Sequence, residues 1–475
     1  MDTKKLRQKI LDLAIHGKLV PQDPYDEPTS VLLERIRAEK EQLIKEGKIK
    51  APKKSKSAGD TSHYGKEGPW ELPEGWVWCH LSELASFAGG KTPSMENKIF
   101  WENGTNLWIT SKDMKTPCLY DSQMKISDLA LQEMTVFYPG TILMVNRSGI
   151  LRRMLPLAIL KKEATINQDI KAIVPYLPGI YSYLYYAILA QEAYILSEYK
   201  KAGTTVDNIN FDKFISLSIP LPPLKEQFSI VNAIAQLYSL LERIDSCKVE
   251  LNQSVDTAKA KVLDLAIHGK LVSQDSSDEP AIELLKRINP AFKPSDNLHY
   301  EGDLPKGWCF STLGELFQHN TGKALNAVDS KGEMLRYITT SNLYWDRFEL
   351  SEVRTMPFTE AEIDKCRAVK GDLLVCEGGD IGRAAIWPYD ESIMIQNHIH
   401  RMRPKTEVSV RFFYYVLNLY KRKGLIGGKG IGIQGLSSRE LDKMIIPVPP
   451  VKEQHRIVTA IEEKFAVLNE IVEAC

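Results

Sequence analysis

The chain has 475 residues, which is too many for one hydrophobic core, so two or more domains are expected. Its hydrophobic content of 43% and charged content of 26% are typical of globular proteins, and no apolar run is long enough to span a membrane. The 61 basic and 61 acidic residues cancel, which disfavours a protein that coats nucleic acid alone but allows a local positive surface. Seven scattered cysteines without a Cys-x-x-Cys pair predict neither a zinc site nor a disulfide framework, and they favour a cytoplasmic location.

The chain begins with a predicted N-terminal helix, residues 1–20, followed by a helix and a basic linker over residues 21–62. Pro28 favours a helix start, so residues 29–46 are expected to be helical. The lysine-rich stretch at 48–56 is interpreted as a flexible tether, with specific DNA contact as the less favoured alternative.

Two mixed α/β modules are predicted, over residues 63–222 and 300–449, and a linker at 273–299 precedes the second. Apolar stretches at 141–145 and 372–376 indicate strands, and glycine-rich turns follow them. The modules agree in framework and differ in their loops.

Three motifs occur in both halves of the chain in the same order, which identifies an internal repeat. Residues 9–20 recur at 261–272, residues 72–76 at 304–308, and residues 219–227 at 446–454.

A long central helix is predicted over residues 223–272, because its apolar residues alternate at spacings of four and three. This spacing is a coiled-coil seam, interrupted once by Lys248, and the helix would be roughly 65 Å long at about 1.5 Å per residue. The seam consists of Ile230, Ile234, Leu237, Leu241, Ile244, Leu251, Val255, Ala258, Val262 and Leu265.

The C-terminal helix, residues 450–475, repeats the first part of this seam, and the N-terminal helix repeats the rest. The repeat is therefore circular, and the two chain ends are expected to form a second, antiparallel copy of the central helix that spaces the modules apart. A single amphipathic helix buried in one globule is the alternative. The seam residues of the two ends are Ile457, Ile461, Leu468, Ile471, Met1, Leu6, Ile10 and Leu13.

Catalytic motifs are missing from the sequence. The Gly-Gly-Lys-Thr stretch at 89–92 lacks the first glycine of a phosphate-binding loop, since residue 85 is Ala85, and no Asn-Pro-Pro-Tyr-like motif for base methylation is present. His398 and His400 alternate in a strand-like segment without further metal ligands, and we interpret them as loop or surface histidines. We therefore predict no catalytic, cofactor-binding or metal site.

Polar residues recur in corresponding loops of the two modules and are candidate DNA contacts. Arg and Lys can bind phosphates or guanine, Asn and Gln can pair with adenine, and Glu can accept from cytosine. In module one they are Lys91, Thr92, Ser111, Lys112, Asn146, Arg147, Arg152, Arg153, Gln168, Thr205 and Asn208. In module two they are Lys323, Ser341, Asn342, Glu377, Arg383, Asn397, His398 and Gln434. For any single residue of these two sets, a solvated loop residue without a DNA contact is the simpler interpretation. The sets as a whole are favoured as DNA contacts, because the two modules share a framework while their loops differ.

The whole chain resembles the specificity subunits of type I restriction–modification systems. The resemblance rests on the circular repeat, on Pro-Leu-Pro-Pro-Leu-Lys-Glu-Gln at 220–227, and on the Leu-Ala-Ile-His-Gly-Lys-Leu-Val helix ends. Residues 371–374, leading to Gly382-Arg383 and then Gln396-Asn397, also resemble the family's target-recognition domains, whereas in module one Arg152 stands where the glycine–arginine turn would lie. The resemblance implies an α+β fold, with two similar mixed α/β target-recognition domains separated by a long antiparallel coiled coil in a circular pseudo-twofold repeat.

The resemblance also implies a non-catalytic subunit that recognises a bipartite site in double-stranded DNA, one half per domain. Two adenine-N6 methyltransferase subunits would bind the coiled-coil region and motor–nuclease subunits would join them, so that S-adenosylmethionine, ATP and magnesium belong to those partners. A stand-alone DNA-binding regulator is the first alternative, and DNA binding measured with and without a methyltransferase distinguishes it. A fused methyltransferase–nuclease is less favoured, since it would need catalytic motifs.

Overall fold

A computed structural model describes most of the chain. The described ranges are residues 1–49, 68–295, 302–324, 332–426 and 436–474. The chain forms two compact units, Met1–Ser246 and Cys247–Cys475. One 44-residue helix, α8 (Leu224–Ile267), begins in the first unit and ends in the second.

The first unit is a mixed α/β structure. Its other helices are α1 (Thr3–Ile15), α2 (Thr29–Lys45), α3 (Leu81–Leu84), α4 (Asp128–Leu131), α5 (Tyr181–Ala190), α6 (Glu192–Glu198) and α7 (Phe211–Ile215). Its strands are β1 (Val77–His80), β2 (Ala85–Gly89), β3 (Asn106–Ile109), β4 (Cys118–Leu119), β5 (Met124–Ile126), β6 (Ile142–Val145), β7 (Arg147–Ser148), β8 (Leu157–Leu160), β9 (Ala164–Ile166), β10 (Ile170–Pro175), β11 (Lys200–Lys201), β12 (Asp207–Ile209) and β13 (Ser218–Leu221). Short 3-10 turns lie at Lys98–Phe100, Gly149–Arg152 and Pro178–Ile180.

The main sheet of the first unit has the strand order β2-β10-β6-β8-β4. Its central strand β6 is buried along its whole length, which suits its Ile-Leu-Met-Val sequence, because a strand covered on both faces needs apolar side chains on both. A second sheet has the order β5-β3-β9, a third has the order β11-β12-β7, and β1 pairs with β13.

The second unit repeats this arrangement. Its helices are α9 (Ala281–Ile288), α10 (Leu313–Leu316), α11 (Glu360–Cys366), α12 (Val410–Arg422), α13 (Ser438–Asp442) and α14 (Val451–Glu473). Its strands are β14 (Cys309–Thr312), β15 (Phe317–Thr321), β16 (Glu333–Ile338), β17 (Leu343–Tyr344), β18 (Arg347–Phe348), β19 (Arg354–Phe358), β20 (Arg367–Ala368), β21 (Leu373–Cys376), β22 (Ala384–Ile386), β23 (Ile393–Ile395), β24 (Ile399–Pro404) and β25 (Ile445–Val448).

The strand order β15-β24-β21-β22 matches β2-β10-β6-β8 of the first unit, and β19-β16-β23 matches β5-β3-β9. The predicted strands at 141–145 and 372–376 are confirmed as β6 and β21, each one residue shorter at its start. The predicted internal repeat is therefore a repeat of topology as well as of sequence.

The repeated motifs meet in space within each unit. In the first unit, Gln22 Nε2 donates to the Gly17 carbonyl (2.6 Å) and to Glu226 (3.2 Å), and Trp76 Nε1 donates to the other oxygen of Glu226 (2.9 Å). In the second unit, Gln274 Nε2 makes the equivalent bonds to the Gly269 carbonyl and to Glu453, at 2.7 and 3.2 Å. Burial, the largest influence on Glu226, raises the pKa of its carboxyl, and the same holds for Glu453. Each motif thus supplies one part of a helix-to-domain junction.

In the first unit, α1 packs antiparallel to the first half of α8. Thr3 donates to Asp245 (2.8 Å), the Arg7 guanidinium lies 5.2 Å above the Tyr238 ring, and Gln22 further along reaches Glu226. The residue numbers of these contacts rise along α1 and the segment after it while they fall along α8, as the predicted antiparallel pairing requires.

In the second unit, α14 packs antiparallel to the second half of α8. Lys259 Nζ donates to Asn469 (2.6 Å) and lies 5.6 Å above the Phe465 ring. Gln274 further along reaches Glu453, so here too the two numberings run in opposite directions.

The predicted seam of α8 agrees with the structure, because none of its ten apolar residues is exposed. The seams predicted for the two chain ends differ from the structure. Met1, Leu6 and Ile471 are exposed, and α1 instead buries Leu11, Ala14 and Ile15. The reason is that α1 packs on the core of the first unit as well as on α8, and that core determines its buried face. No helix in the described residues is long and apolar enough to cross a membrane.

Candidate nucleic-acid interface

One edge of each unit is formed where several strands end side by side. We call it the recognition edge, because most of the predicted DNA contacts lie on it. In the first unit it comprises residues 110–113, 146–148, 167–169 and 207–209, and in the second unit residues 339–342, 377–383, 396–398 and Leu436.

Three backbone hydrogen bonds hold the first recognition edge together. The N–H of Asn146, directly after β6, donates to the Asp169 carbonyl (2.8 Å), and the Asn146 carbonyl accepts from the N–H of Ile209 (2.9 Å). The N–H of Asn167 donates to the Ile109 carbonyl at 3.0 Å. Because backbone groups make these bonds, the bonds themselves do not require particular side chains on the edge residues.

The second recognition edge is held by the same three bonds. The N–H of Glu377, directly after β21, donates to the His398 carbonyl (2.9 Å), and the Glu377 carbonyl accepts from the N–H of Leu436 (2.9 Å). The N–H of Gln396 donates to the Ile338 carbonyl at 3.0 Å. Glu377 is therefore the counterpart of Asn146, and His398 is the counterpart of Asp169.

A tight turn presents the predicted contacts that follow β3 and β16. In the first unit, the Asp113 carboxylate accepts from the N–H (2.7 Å) and the hydroxyl (2.8 Å) of Thr110. Asn342 makes the same two bonds to Thr339, at 2.9 and 3.0 Å. Ser111 is half-buried in its turn, whereas Lys112 and its counterpart Ser341 are exposed.

Cations outside the defined segments surround the first recognition edge. Asp207, with 5% of its side chain exposed, lies between Arg152 (3.7 Å) and Lys200 (3.8 Å), so one carboxylate faces two cations. Arg147 and Arg153 are exposed nearby in the sequence and have no ion pair among the described residues. Such a surface suits a phosphate backbone.

A cleft of about 290 Å³ opens at the same edge, lined by Arg147, Thr205 and Asn208 together with residues 203–206. Arg147 and Asn208 are opposite each other where β7 pairs with β12. Asn146 Oδ1 is buried without a hydrogen-bond partner in the described part of the chain.

Two predicted residues, Lys91 and Thr92, lie beside the 167–169 segment, which contains the predicted contact Gln168. The Thr92 hydroxyl donates to the side-chain oxygen of Gln168, so the structure brings these two together. The backbone N–H of Lys91 donates to the Ile166 carbonyl (3.0 Å), while its exposed ammonium lies 3.7 Å from Glu133. The lysine is therefore fixed by its backbone, and its charged end is exposed beside Glu133.

The second recognition edge has mixed polarity. His398 Nδ1 lies 3.4 Å from Glu377 Oε2, and both side chains reach solvent. Asn397 is half-buried, and its N–H donates to the Lys323 carbonyl at 2.9 Å. A carboxylate and an imidazole thus replace the amide and carboxylate of the first edge.

Arg383 is held in place at this edge by two contacts. Its Nη2 donates to the Thr340 carbonyl at 2.5 Å, and its guanidinium lies 5.1 Å above the Tyr344 ring. A stacked, anchored guanidinium loses little further freedom when it binds a base edge or a phosphate.

The structure does not present all of the predicted contacts. Lys323 is 8% exposed, and its ammonium donates to the Pro357 carbonyl (2.9 Å) and to Glu362 (2.8 Å). Asn342 is buried in the turn that it shapes. Gln434 lies outside the described residues.

Two interpretations of the sequence are wrong. Strand register pairs Met144 with Leu157 and Val375 with Ala384, so the counterpart of Arg383 is Pro156 and not Arg152. The first unit has a longer connection there, which includes the 3-10 turn at Gly149–Arg152.

The second correction concerns His400, which is 0% exposed and donates from Nε2 to the Leu436 carbonyl at 2.7 Å, whereas only His398 lies at the surface. The two histidines differ because β24 begins at Ile399, so His398 lies in the turn before the strand whereas His400 lies within the strand, where its side chain is buried. Among the residues that the structure describes, no group of three or more His, Cys, Asp or Glu side chains is arranged to hold a metal ion.

Some residues at the edges were not predicted. The ion pair between Lys200 and Asp207 and the stacking of Arg383 on Tyr344 join residues from different strands or loops. Such contacts cannot be predicted from a sequence pattern. Asp169 could have been found, since the repeat aligns it with His398.

Comparisons with known proteins give the class. Residues 73–253 and 305–474 both match the family model described as the type I restriction modification DNA specificity domain. The chain therefore belongs to this family of DNA specificity proteins, with two copies of the domain.

The chain is similar over nearly its whole length to the type I restriction enzyme EcoEI specificity subunit of Escherichia coli. The two are 25% identical over 547 aligned positions, covering 98% of this chain and 90% of that protein. The EcoAI specificity subunit of the same organism is 26% identical over 544 positions, with the same coverage. These relatives confirm the resemblance found in the sequence.

The fold also has a solved counterpart. A chain from a structural study of complex assembly and conformational transition of a type I restriction–modification system aligns with a TM-score of 0.56 at 17% identity. The alignment covers 86% of this chain and 94% of that one, which confirms the fold class expected from the sequence.

Proposed function

We propose that the chain is the DNA-recognition subunit of a type I restriction–modification complex, in which each recognition edge binds one half of a bipartite target. The observation that carries this proposal is the pair of edges itself. Identical backbone hydrogen bonds hold different side chains in the two units, with Asn146 and Asp169 in one and Glu377 and His398 in the other. A protein that recognises two different half-sites needs such a constant frame with variable contacts.

The chemistry of the two edges favours different half-sites. The first edge offers the Asn146 and Gln168 amides, which can pair with adenine, beside the Arg147 guanidinium. The second offers the Glu377 carboxylate, which can accept from the cytosine amino group, beside Arg383. Exposed lysines and arginines around both edges would bind phosphates and fix the protein on the duplex.

The remaining parts of the proposal concern partners. We place two adenine-N6 methyltransferase subunits on the α8 region, motor–nuclease subunits on that core, and S-adenosylmethionine, ATP and magnesium on those subunits. The chain itself is a recognition scaffold without a catalytic role, in the cytoplasm where its DNA lies. The names of the EcoEI and EcoAI relatives, which are subunits of restriction enzymes, support an assembly of this kind.

A domain exchange tests the assignment of one half-site to each edge. Residues 73–219 are replaced by the equivalent module of a relative, and methylated adenines are mapped in cells that carry the partner subunits. We expect one half of the bipartite site to change while the other half is retained. A change in both halves, or in neither, would contradict the proposal.

The scaffold role has its own test. The highly purified chain is incubated with DNA and a radiolabelled methyl donor, with and without a methyltransferase subunit. We expect methyl transfer only when the methyltransferase is present. Transfer by the chain alone would overturn the non-catalytic assignment, whereas tight site-specific binding without partners and no activity with them would favour a stand-alone regulator.

A further inference from the structure

A buried chain of hydrogen bonds lies behind the second recognition edge. His319 Nδ1 lies 2.7 Å from Asp442 Oδ1, His319 Nε2 lies 2.9 Å from His400 Nδ1, and His400 Nε2 lies 2.7 Å from the Leu436 carbonyl. His400 is 0% exposed and the His319 side chain is 7% exposed, so the two rings are shielded from water, whereas the Asp442 side chain at the end of the chain is 41% exposed.

The number of protons in this chain follows from its end groups. The Leu436 carbonyl can only accept, so His400 Nε2 must carry a proton, and the Asp442 carboxylate likewise requires a proton on His319 Nδ1. The contact between the two rings needs a third proton. Three protons on two imidazoles are one more than two neutral rings hold, and the extra positive charge is balanced by Asp442.

The surrounding charges indicate where that positive charge resides. Burial is the largest influence on His400 and lowers its pKa, and the nearby His319 acts in the same direction. The Leu436 carbonyl, Glu377 and Asp442 act in the opposite direction. Burial therefore disfavours a positive charge on the His400 ring, which keeps a proton on Nε2 for the Leu436 carbonyl.

The chain of bonds ends on a residue of the recognition edge. Leu436 is fixed from both sides, since its carbonyl accepts from His400 and its N–H donates to the Glu377 carbonyl at 2.9 Å. Glu377 in turn lies next to His398 at the surface. Loss of the His400 bond would leave a buried carbonyl without a partner and loosen the segment that positions Glu377.

The first unit has the same backbone contact without the titratable chain. Ile209 donates to the Asn146 carbonyl at 2.9 Å, as Leu436 does to Glu377. Strand register makes Lys171 the counterpart of His400, and Phe87 takes the place of His319. There Phe87 packs edge-on against Phe211 (5.5 Å), and Lys171 lies 5.1 Å above the same ring.

We propose that His400 and His319 are positioning residues that tie the second recognition edge to one shared proton, so that recognition of the second half-site depends on pH while recognition of the first does not. The inference rests on the proposed function, because it takes the edge around Glu377 to contact DNA. Loss of the shared proton at high pH breaks the bond between His319 Nε2 and His400 Nδ1. A further proton at low pH sets two N–H groups against each other at the same contact. The profile for the second half-site is therefore bell-shaped, as expected of two coupled groups.

The test measures binding of the full chain, assembled with its methyltransferase, to three DNA duplexes. One carries the intact target found by mapping methylated adenines, and the others have either the first or the second half-site scrambled. The ratio of affinities, intact to scrambled, is measured for each half from about pH 5 to pH 9. We expect the ratio for the second half-site to fall by about tenfold on both sides of its maximum, the equivalent of one lost hydrogen bond, and the ratio for the first to stay level.

Variants of His400 distinguish an effect of the buried hydrogen-bond chain from an effect of the surface residue His398. His400→Gln keeps a donor for the Leu436 carbonyl but cannot titrate, so it should keep the preference for the second half-site and flatten its pH profile. His400→Leu removes the donor and should lower that preference by about tenfold at every pH. Lys171→Gln, the matched change in the first unit, should leave the second half-site profile unchanged.

The outcomes that overturn the inference are distinct from those that overturn the proposed function. A level profile for the second half-site, or an unchanged bell shape in His400→Gln, would refute the positioning role and would point to His398 in the latter case. If His400→Leu does not fold, the wild-type and His400→Gln profiles still decide the question. Absence of preference for either half-site at any pH would instead refute the proposed function.

Discussion

Asn146 and Glu377 occupy the same place in the two units. Each directly follows the buried central strand of its sheet, and each carbonyl accepts a hydrogen bond from a distant backbone N–H at 2.9 Å, that of Ile209 in one and Leu436 in the other. An amide and a carboxylate differ in hydrogen bonding, since only the amide can donate. This position is therefore well placed to make the two units prefer different bases.

Glu377→Gln should change recognition at one position of the second half-site only. The substitution keeps the shape of the side chain and adds a donor. Glutamine could therefore pair with acceptor groups of a base as well as with an amino group, whereas glutamate can only accept from an amino group. A bidentate contact contributes about 1–3 kcal/mol of discrimination, and the preference at that position should fall by a comparable amount. Mapping of methylated adenines gives the altered position.

Asp390→Asn is the matched control for Glu377→Gln. Asp390 is an exposed carboxylate at the other end of the same strands, where it pairs with Lys370 at 2.8 Å. The Asp390→Asn substitution removes the same charge without altering the recognition edge, so the DNA sequence that is recognised should not change. A shift in the first half-site caused by Glu377→Gln would contradict the assignment of that half to the first unit.

The frame of this site could be predicted from the sequence, whereas many of its contacts could not. The aligned glycines at 140 and 371, which have φ values of 91° and 90°, mark the turn before each central strand, so the position of Asn146 and Glu377 follows from the repeat. The partner of Arg152 could not be found in this way, because Asp207 belongs to a strand far along the chain.

Arg383→Ala should weaken DNA binding by about 1–3 kcal/mol and relax specificity at one position. The guanidinium is anchored on the Thr340 carbonyl and stacked on Tyr344, so it is held for a directed contact with a base. Affinities for the intact target and for single-base variants of it provide the measurement.

Arg347→Ala removes the same charge from the other arginine that lies over the Tyr344 ring, at 4.7 Å. We expect this control to weaken binding of all sequences to a similar small extent, as loss of a phosphate contact does. If Arg383→Ala gives the same uniform loss as Arg347→Ala, Arg383 contacts phosphate and does not discriminate between bases.

Gly17→Ala should destabilise the protein more than Gly47→Ala. Both glycines have positive φ values, 64° and 70°, which cost an L-residue roughly 1–2 kcal/mol. A Cβ on Gly17 would also lie 2.3 Å from Cγ of Pro73, whereas a Cβ on Gly47 meets nothing within 4 Å. We therefore expect a further loss of about 1–3 kcal/mol in the free energy of unfolding for Gly17→Ala.

Urea unfolding of the two variants measures the difference directly. Gly269→Ala in the second unit should behave as Gly17→Ala does, since its Cβ would lie 2.3 Å from Cγ of Pro305. Equal losses in Gly17→Ala and Gly47→Ala would mean that the contact between the first two repeated motifs does not constrain the fold.

The repeated His-Gly-Lys and Leu-Pro-x-Gly-Trp motifs show what sequence reasoning missed in the fold. The repeat identified both as important, but their contact in space came only with the structure. The seam of α8 was predictable because a helix that packs along its length repeats every seven residues. The buried face of α1 was not, since α1 also packs on α5 of the first unit, where Gln8 Nε2 donates to the Ala190 carbonyl at 3.1 Å.

The helix pair should act as a ruler that sets the gap between the half-sites. One heptad is added after Cys247, which is exposed and lies between the seam residues Ile244 and Leu251, and a matching heptad is added after Cys475. Seven residues keep the apolar seam aligned and lengthen a helix by roughly 10 Å. DNA rises about 3.4 Å per base pair, so the unspecified gap should grow by about three base pairs.

Mapping of methylated adenines in cells that carry the lengthened variant decides this prediction. Both half-site sequences should persist, because the insertions leave residues 110–209 and 339–436, which carry the recognition edges, unchanged. Five residues added after Cys247 alone serve as the control, because a length other than seven rotates the apolar face of the second half of α8 away from that of the first half and should abolish methylation of the target. An active double variant that still modifies sites with the original gap would mean that something other than these helices determines the distance, because the added length would then have had no effect on where the second edge meets DNA.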